Sequence, residues 1–234
     1  MKKILLLLIV LFITQSTFSQ KIILHRNAGG DQTYQLSSVD SISFQPFLCG
    51  DEIRYEGKTY GTVLIGTQCW MKKNLDIGTM IEGPSISPTG KQTNNQIIEK
   101  YCYDNDTANC STYGGLYEWN EAMQYVTAPG TKGICPDGWH IPTYAEFDIL
   151  RVGTNDVKSL LEIGTDGGTN TTGFSALYAG YVYTLFENLN GGTWWWSSNQ
   201  YSATHAHYFT ITASDFRFYD NWKWYGISVR CIKD

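Results

Sequence analysis

The sequence predicts an α+β fold in which a few short helices precede a run of antiparallel strands. Apolar residues recur at helical spacing in the middle of the chain, and the C-terminal third changes to an alternation of period two. A hairpin pattern precedes the helices, and strands end the chain. This order favours a single domain in which helices lie beside one antiparallel sheet.

Residues 1–19 have the form of an export signal. Two lysines precede an unbroken apolar run at residues 4–13, which is too short to cross a bilayer. Thr17 and Ser19 flank Phe18 in a small-x-small pattern, so we expect cleavage after Ser19. No cysteine directly follows the apolar run, which favours simple export over lipid anchoring. We therefore expect a mature chain without a transmembrane segment that is secreted, periplasmic or displayed on the cell surface.

Residues 20–48 predict a short N-terminal β segment, and residues 49–234 the main domain. The segment contains strand-like runs at 22–25, 33–36 and 41–44. The main domain then opens with a hairpin, whose strands at 58–65 and 68–70 flank Gly66 and Thr67, while the polar, Gly- and Pro-rich stretch 78–96 predicts a loop.

Three helices and several strands follow. Apolar spacing predicts a first helix over 115–125, and the capping-box pair Thr143 and Glu146 begins a second that ends at Gly153. A third short helix is expected over 156–164. The predicted strands lie at 208–212, 216–218 and 227–231, with turns at 191–192 and 220–221.

The cysteines form an even set of six, Cys49, Cys69, Cys102, Cys110, Cys135 and Cys231. An even set in an exported chain indicates disulfides, which persist in oxidising compartments. Proximity favours a Cys102–Cys110 bridge across a polar loop, but six cysteines allow fifteen pairings, so the residues alone leave the other pairs open.

Charge and aromatic content limit the class of partner. The formal net charge is -5 and the sequence has no basic stripe that could neutralise phosphates, so we expect no nucleic-acid partner. The chain has eight Trp and sixteen Tyr, more than a core of this size requires. Some of these rings should lie at the surface, where aromatic side chains suit ligand binding.

The stretch 199–225 combines aromatic rings with Asn, Ser, Thr, Asp and His, a composition typical of recognition loops. In the preceding tryptophan run, Trp195 should point to one face of a strand and its two neighbours to the other, with packing as their main role. The candidate ligand-binding residues are Trp194, Trp196, Tyr201, His205, His207, Tyr219, Asn221, Trp222, Trp224 and Tyr225.

Metal binding has weak support. On a strand, His205 and His207 would face the same way, as zinc ligands do, but the sequence indicates no third ligand. Asp104 and Asp106, with the amide between them, offer oxygens for calcium without any EF-hand spacing, and a polar disulfide loop explains them equally well. We therefore expect no cofactor, with calcium as the alternative.

Enzymatic motifs are absent from the sequence, which contains no Gly-rich phosphate loop, no HExxH and no Gly-x-Ser-x-Gly. The carboxylate pair Glu118 and Glu121 on the first predicted helix is interpreted as a solvated face. Arg230 lies between Val229 and Cys231 of the last predicted strand. We expect it to pair with an acid or a backbone carbonyl and to have a structural role. The chain is therefore not expected to be an enzyme.

Seven collinear motifs resemble the Fibrobacter succinogenes major paralogous domain (FISUMP) family of bacterial surface and secreted proteins. They are QCWM at 68–71 with NL at 74–75, YCYDND at 101–106, YGGLYEW at 113–119, CPDGWHIP at 135–142, GFSAL at 173–177, WWSS at 195–198 and SVRC at 228–231. Together they span about residues 50–234. Residues 20–48 are similar to the short strand segment that often precedes such domains in Bacteroidetes exports.

This resemblance implies a C-type-lectin-like fold, related to formylglycine-generating enzymes and to the variable proteins of diversity-generating retroelements. It also implies a Cys135–Cys231 bridge, which leaves Cys49 with Cys69. A loop of this length would contribute about 4 to 5 kcal/mol in the chain-entropy model. The oxygen-activating relatives use a reactive cysteine pair, but here only Cys231 lies in the corresponding region.

We therefore expect an exported, non-catalytic protein that binds an extracellular glycan or protein ligand through an aromatic and polar surface at 194–225. One alternative is a structural component of a surface assembly. Another is a retroelement-diversified binding protein, since 199–225 resembles the mutated segment of such relatives. The oligomeric state is left open by the sequence.

Overall fold

A computed structural model describes residues 21–24, 32–35, 46–83, 90–154, 156–213 and 215–234. The chain divides into two compact units, Met1–Pro46 and Phe47–Asp234. The predicted export signal at residues 1–19 lies outside the described residues. In the first unit, β1 (Lys21–Leu24) pairs antiparallel with β2 (Gln32–Gln35), one residue earlier than predicted. The strand predicted at 41–44 is also outside the described part.

The second unit is mostly β with a few short helices. Its strands are β3 (Glu52–Tyr55), β4 (Lys58–Ile65), β5 (Gln68–Met71), β6 (Thr79–Met80), β7 (Glu99–Lys100), β8 (Leu116–Tyr117), β9 (Trp139–His140), β10 (Ala179–Val182), β11 (Phe186–Leu189), β12 (Gly192–Gln200), β13 (His205–Thr212), β14 (Asp215–Trp222), β15 (Ile227–Ser228) and β16 (Ile232–Lys233). Its helices are α1 (Thr107–Tyr113), α2 (Trp119–Ala122) and α3 (Tyr144–Gly153). None of the helices in the described part of the chain has the length and hydropathy needed to span a bilayer.

Two sheets organise this unit. A five-stranded sheet has the order β3-β4-β5-β16-β9, and it contains the predicted hairpin, with Ile65 opposite Gln68. A seven-stranded sheet has the order β11-β10-β12-β13-β14, with β15 joining β12 to β8. The predicted turn at 220–221 is wrong: these residues pair with 206–207 inside β14, and the chain reverses instead between Thr212 and Asp215.

The second predicted helix is confirmed and the first is wrong. Thr143 accepts from the Glu146 backbone N–H and Glu146 reaches back to the Thr143 N–H, so α3 begins with the expected capping box. Within 115–125, Leu116–Tyr117 is instead strand β8, paired with β15, and only α2 is helical. Apolar spacing of three or four residues is also compatible with a short strand followed by one helical turn, which explains the error.

Two smaller differences concern local caps. The segment predicted as a polar disulfide loop contains helix α1, whose N-cap Asp106 accepts from the Ala108 N–H at 2.8 Å. The third predicted helix is reduced to a single 3-10 turn, Val157–Ser159, because Leu161 bridges to Ala176 in extended conformation. Its predicted cap Asp156 is correct and accepts from the Lys158 N–H at 3.0 Å.

All six cysteines are paired, as Cys49–Cys69, Cys102–Cys110 and Cys135–Cys231. The last bridge closes a separation of 96 residues and fixes the end of the chain. These pairings confirm the disulfide predictions.

The tryptophan run divides between two core clusters, as predicted. Trp195 packs with Trp70, Phe147 and Phe174, whereas Trp196 belongs to the cluster around the Cys135–Cys231 bridge. Trp194 packs against that second cluster and is only partly buried.

Asn74 joins these parts of the core. Its Oδ1 accepts from Trp195 Nε1 at 2.7 Å and from Arg230 Nε at 3.0 Å. Its Nδ2 donates to the Tyr113 carbonyl at 2.8 Å and to Ser228 Oγ at 3.2 Å. A single buried amide therefore satisfies four groups from three separate segments of the chain.

Arg230 has the structural role expected from the sequence. It is 1% exposed, and its Nη1 donates to the Phe174 carbonyl at 2.5 Å. The guanidinium also lies 4.3 Å from the centre of the Phe174 ring and 5.2 Å from that of Trp195.

Replacing Asn74 with Leu, which has similar volume but no polar atoms, should strongly destabilise the domain. Two buried donors, Trp195 Nε1 and Arg230 Nε, would lose their acceptor, at about 1 to 3 kcal/mol each. Denaturant unfolding should therefore show a loss of about 3 to 5 kcal/mol. The same substitution at the exposed Asn120 should change stability by roughly 0.5 kcal/mol or less; equal effects at both positions would contradict the role of Asn74.

His140 forms hydrogen bonds that hold Asp234 in place. Its Nδ1 lies 2.7 Å from Asp234 Oδ1 and its Nε2 lies 2.9 Å from Glu146 Oε1. Burial lowers the pKa of His140, but the hydrogen bonds to Glu146 and Asp234 outweigh it, so the net pKa is raised. The protonated ring is the form that donates to both carboxylates.

A raised folded-state pKa makes this stabilisation depend on pH. It should be fully present below about 6.5, the ordinary histidine value, and be lost as pH rises through the higher folded-state pKa. The difference in unfolding free energy between wild type and His140→Gln should therefore be larger at pH 5.5 than at pH 8.5. A difference that grows with pH would contradict this assignment.

Candidate functional site

A small pocket rimmed by aromatic rings lies on the seven-stranded sheet. It encloses about 170 Å³, and we call it the aromatic pocket. Its lining residues are Tyr181, Asn188, Trp194, Trp196, Tyr208, Asn221, Tyr225 and Ile227. Four of the ten sequence candidates, Trp194, Trp196, Asn221 and Tyr225, therefore come together here.

Strand pairing sets the geometry of the aromatic pocket. In the β12–β13–β14 meander, Trp196 lies opposite Tyr208, which lies opposite Tyr219. Since side chains alternate along a strand, Trp194 and Trp196 point to the same face as Tyr208. The β10–β11 hairpin supplies the remaining wall, and Tyr181 packs edge-on against Trp194 at 4.8 Å between ring centres.

Close approach of the β10–β11 hairpin requires a glycine. Gly180 has a φ of +64°, and a Cβ atom there would lie 2.5 Å from the Glu187 carbonyl oxygen. Only glycine can adopt this φ and approach the carbonyl oxygen this closely without strain. The hairpin can therefore bring Tyr181 and Asn188 to the same opening.

The polar groups at the aromatic pocket are uncharged donors and acceptors. Tyr181 Oη donates to Glu187 Oε2 at 2.7 Å and accepts from Asn188 Nδ2 at 3.3 Å. Burial, followed by the hydrogen bond to and negative charge of Glu187, raises the pKa of Tyr181. Burial, with smaller effects of Tyr219 and Asp220, raises the pKa of Tyr208 to about 12. Both phenols are therefore protonated at neutral pH.

A stack of rings supports the pocket from outside. Tyr183 stacks on Tyr225 at 4.5 Å and on Trp224 at 4.9 Å. Burial and the neighbouring Tyr183 raise the pKa of Tyr225. Trp224, a sequence candidate, therefore packs behind the wall residue Tyr225 and does not line the pocket itself.

The other five sequence candidates lie outside the aromatic pocket. His205 packs on Trp222 at 4.2 Å, and Tyr201 contacts His207 at 5.4 Å. Tyr201 is 63% exposed, while Tyr219 and Trp222 are 47% and 44% exposed. We call these five residues on and beside β13 and β14, Tyr201, His205, His207, Tyr219 and Trp222, the aromatic row. His205 and His207 are half-buried, and Tyr219 points to the face of Tyr208, whereas His205, His207 and Trp222 point to the other face.

Trp196 needs a correction as a ligand-binding candidate. It is fully buried, and its Nε1 donates to the Tyr117 carbonyl at 2.7 Å. Its hydrogen-bonding capacity is satisfied inside the protein, so it forms the floor of the pocket and presents no free polar group.

Of the weak calcium candidates Asp104 and Asp106, the structure gives Asp106 a structural role. Asp106 caps α1, and Asn105 exchanges hydrogen bonds with the backbone of Gly83. Within the described ranges, no group of three or more His, Cys, Asp or Glu side chains is placed to hold a metal ion. His205 Nδ1 instead lies 2.9 Å from Thr204 Oγ1.

The interpretation of Glu118 and Glu121 as a solvated face is wrong, since they are 5% and 1% exposed. Glu118 accepts from the Lys91 and Gln92 backbone N–H groups at 2.7 and 3.2 Å, and from Tyr101 Oη at 2.5 Å. Burial raises the pKa of both carboxyls. Glu118 therefore anchors a loop backbone to the core.

Sequence reasoning missed Tyr181, Asn188 and Tyr208 as pocket residues. Tyr181 and Tyr183 alternate in the period-two manner of a strand, so the signal was present in the sequence. Tyr181 and Asn188 precede the stretch 194–225 that contains the candidates, whereas Tyr208 lies inside it, where its alternation predicts only a strand position.

A protein-family model, described as the Fibrobacter succinogenes major domain, matches residues 63–233. The chain belongs to this family. No curated protein matched the chain, and no solved structure matched it. The match covers both sheets except β3 and the start of β4, so the scaffold of the aromatic pocket lies within the Fibrobacter succinogenes major domain.

Acrylamide quenching of tryptophan fluorescence should distinguish the aromatic row from the core. Trp222→Phe should remove the most accessible emission and lower the quenchable fraction, because Trp222 is 44% exposed. Trp195→Phe should not lower that fraction, since Trp195 is fully buried and contributes only unquenched emission. An equal decrease in both variants would contradict the placement of Trp222.

Proposed function

We propose that this member of the Fibrobacter succinogenes major domain family is an exported, non-catalytic binding protein whose aromatic pocket takes one ring of a saccharide. The observation that carries the proposal is the combination of aromatic walls with neutral hydroxyl and amide groups around one small opening. Aromatic faces pack against the apolar C–H face of a sugar, while the polar groups meet its hydroxyls.

The size of the pocket supports a single ring. Pockets for drug-sized ligands enclose about 300 to 1,000 Å³, whereas this pocket encloses about 170 Å³. The remainder of a longer glycan would lie outside, over the exposed surface. Because the wall rings pack against one another, they lose little conformational freedom when a ligand binds.

Export is supported by the cysteines. All six are disulfide-bonded, and such bonds persist in the periplasm or outside the cell. The N-terminal lysines and the apolar run within residues 1–19 are typical of an export signal. We further infer a C-type-lectin-like fold from the resemblance of the motifs, although a fold by itself does not specify a ligand.

A protein ligand is the second candidate, and the aromatic row favours it. Exposed Tyr and Trp side chains are the residues most enriched at protein-binding hot spots. Tyr201, which contacts His207, and Trp222, which lies opposite His205, provide two such rings on the face of β13 and β14 that is turned away from Tyr208. In this case the row, and not the pocket, would be the contact surface.

Binding of the mature chain, residues 20–234, to arrayed glycans and surface proteins tests both candidates. Tyr225→Ala changes a pocket wall and Trp222→Ala changes only the row, so these variants form a matched pair. For a glycan, we expect Tyr225→Ala to weaken binding about tenfold or more, equivalent to about 1.4 kcal/mol, and Trp222→Ala to have little effect. Parallel measurements with calcium and with chelator should agree.

Three other outcomes would change this proposal. Loss of binding in Trp222→Ala alone would transfer the function to the row and indicate a protein ligand. Loss of binding in chelator would establish a metal requirement. If no ligand binds and the protein self-associates, the structural alternative would replace the binding proposal.

A further inference from the structure

A second and larger cavity lies away from the residues of the aromatic pocket. It encloses about 880 Å³ between β4, the segment 72–76, the end of α1 and the loop 170–177. Arg230 is part of its lining, and we call the cavity the Arg230 cleft. The two cavities share no lining residue.

Arg230 presents an unused donor group at this cleft. Its Nε and Nη1 donate to Asn74 and to the Phe174 carbonyl, but Nη2 donates to no atom of the described residues. Among the described side chains, the only fully buried polar atom without a partner is Thr193 Oγ1. Nη2 is therefore not sealed in the core, and the small accessible part of Arg230 faces the cleft.

The charge of Arg230 also lacks a direct counter-ion. No carboxylate of the described residues lies within 4.0 Å of its guanidinium. Burial lowers the pKa of Arg230 to about 9, and the nearby Glu162 partly opposes this effect. The group is therefore still cationic at neutral pH. A buried cation of this kind gains from an anionic partner that also accepts hydrogen bonds.

Beside Arg230, the lysines and carboxylates of the cleft walls are equal in number, so the excess charge of the lining is that of Arg230. The walls carry Lys58, Lys72 and Lys73 as well as Arg230, opposed by three carboxylates, Glu52, Asp76 and Glu162. Asp76 already accepts from Lys58 and, at 2.5 Å, from Lys100. Lys72 and Lys73 are exposed and make no ion pair with the described residues. The lining thus has one excess positive charge in a chain whose net charge is -5.

One excess positive charge matches the single negative charge of a carboxylate, whereas a phosphate monoester carries nearly two at neutral pH. A guanidinium binds a planar carboxylate well. The uncharged lining includes the hydroxyl groups of Thr59, Ser111 and Ser175, which can meet those of a saccharide, whereas Asn170 is already bonded to Glu162 and Ser175. A peptide would need apolar pockets for its anchoring side chains, and the lining offers few apolar side chains.

We propose that the Arg230 cleft binds an acidic saccharide, with the carboxylate of a uronic-acid unit placed against Arg230 Nη2 and the exposed lysines 72 and 73. This site is additional to the aromatic pocket and would bind a different part of a glycan or a different glycan. It does not depend on the function proposed for that pocket.

Calorimetric titration of the mature chain with tetragalacturonate, in low salt with chelator, tests the proposal. Neutral galactotetraose serves as the matched saccharide without carboxylates. We expect tetragalacturonate to bind and galactotetraose not to bind. The double variant Lys72→Gln/Lys73→Gln should weaken binding about fivefold, since each exposed charge contributes only modestly to binding.

The control double variant Lys132→Gln/Lys158→Gln removes the same charge from residues outside the cleft. It should change the dissociation constant less than about twofold. Arg230→Lys retains the charge but not the geometry of Nη2, and it should abolish binding while circular dichroism reports a folded chain. If Arg230→Lys does not fold, the two lysine variants decide the question, because their side chains are exposed.

Three results would overturn the proposal. One is absence of tetragalacturonate binding to the wild type at millimolar concentration. Another is equal binding of galactotetraose, which would show that the carboxylate is not recognised. The third is equal weakening in both lysine double variants, which would reduce the interaction to the overall charge of the protein. Trp222→Ala and Tyr225→Ala should bind tetragalacturonate normally, which separates this test from that of the aromatic pocket.

Discussion

The buried amide of Asn74 is the interaction on which the rest of the main domain depends. It fixes a tryptophan of β12, the arginine before β16, the end of α1 and the hydroxyl of Ser228 through four hydrogen bonds. Gly114 permits this arrangement, because a Cβ atom there would lie 2.5 Å from Asn74 Cβ. A core built around a polar centre is specific, since every alternative packing would leave buried donors unpaired.

The Asn74 centre also positions the aromatic pocket. Holding the Trp195 indole toward Asn74 sets which face of β12 is turned to the Trp70 cluster. Trp194 and Trp196 must then point to the opposite face, where Tyr208 lies next to Trp196 across the strand pair. The Cys135–Cys231 bridge follows Arg230 directly and holds the chain end near the same centre. The hydrogen bonds of Asn74 therefore both stabilise the domain and set the geometry of the aromatic pocket.

The sequence predicted those features that short-range chemistry determines. The capping box at Thr143, the β4–β5 hairpin and the opposite faces of Trp195 and Trp196 follow from local rules, and all are present. The resemblance supplied the long-range Cys135–Cys231 pairing. The burial of Glu118 was not predictable, because it depends on backbone N–H groups from residues 91–92, whose proximity only the tertiary fold creates.

The family motifs and the pocket residues divide into two sets with different physical roles. Motif residues such as Asn74 and Trp195 direct their polar atoms into the protein. Among the lining residues of the aromatic pocket, only Trp196 lies in a motif, and its indole N–H is used internally. The remaining lining side chains stand on strands and loops that the motifs hold in place. Membership of the family therefore specifies a scaffold, whereas the ligand must be inferred from the side chains that the scaffold leaves accessible.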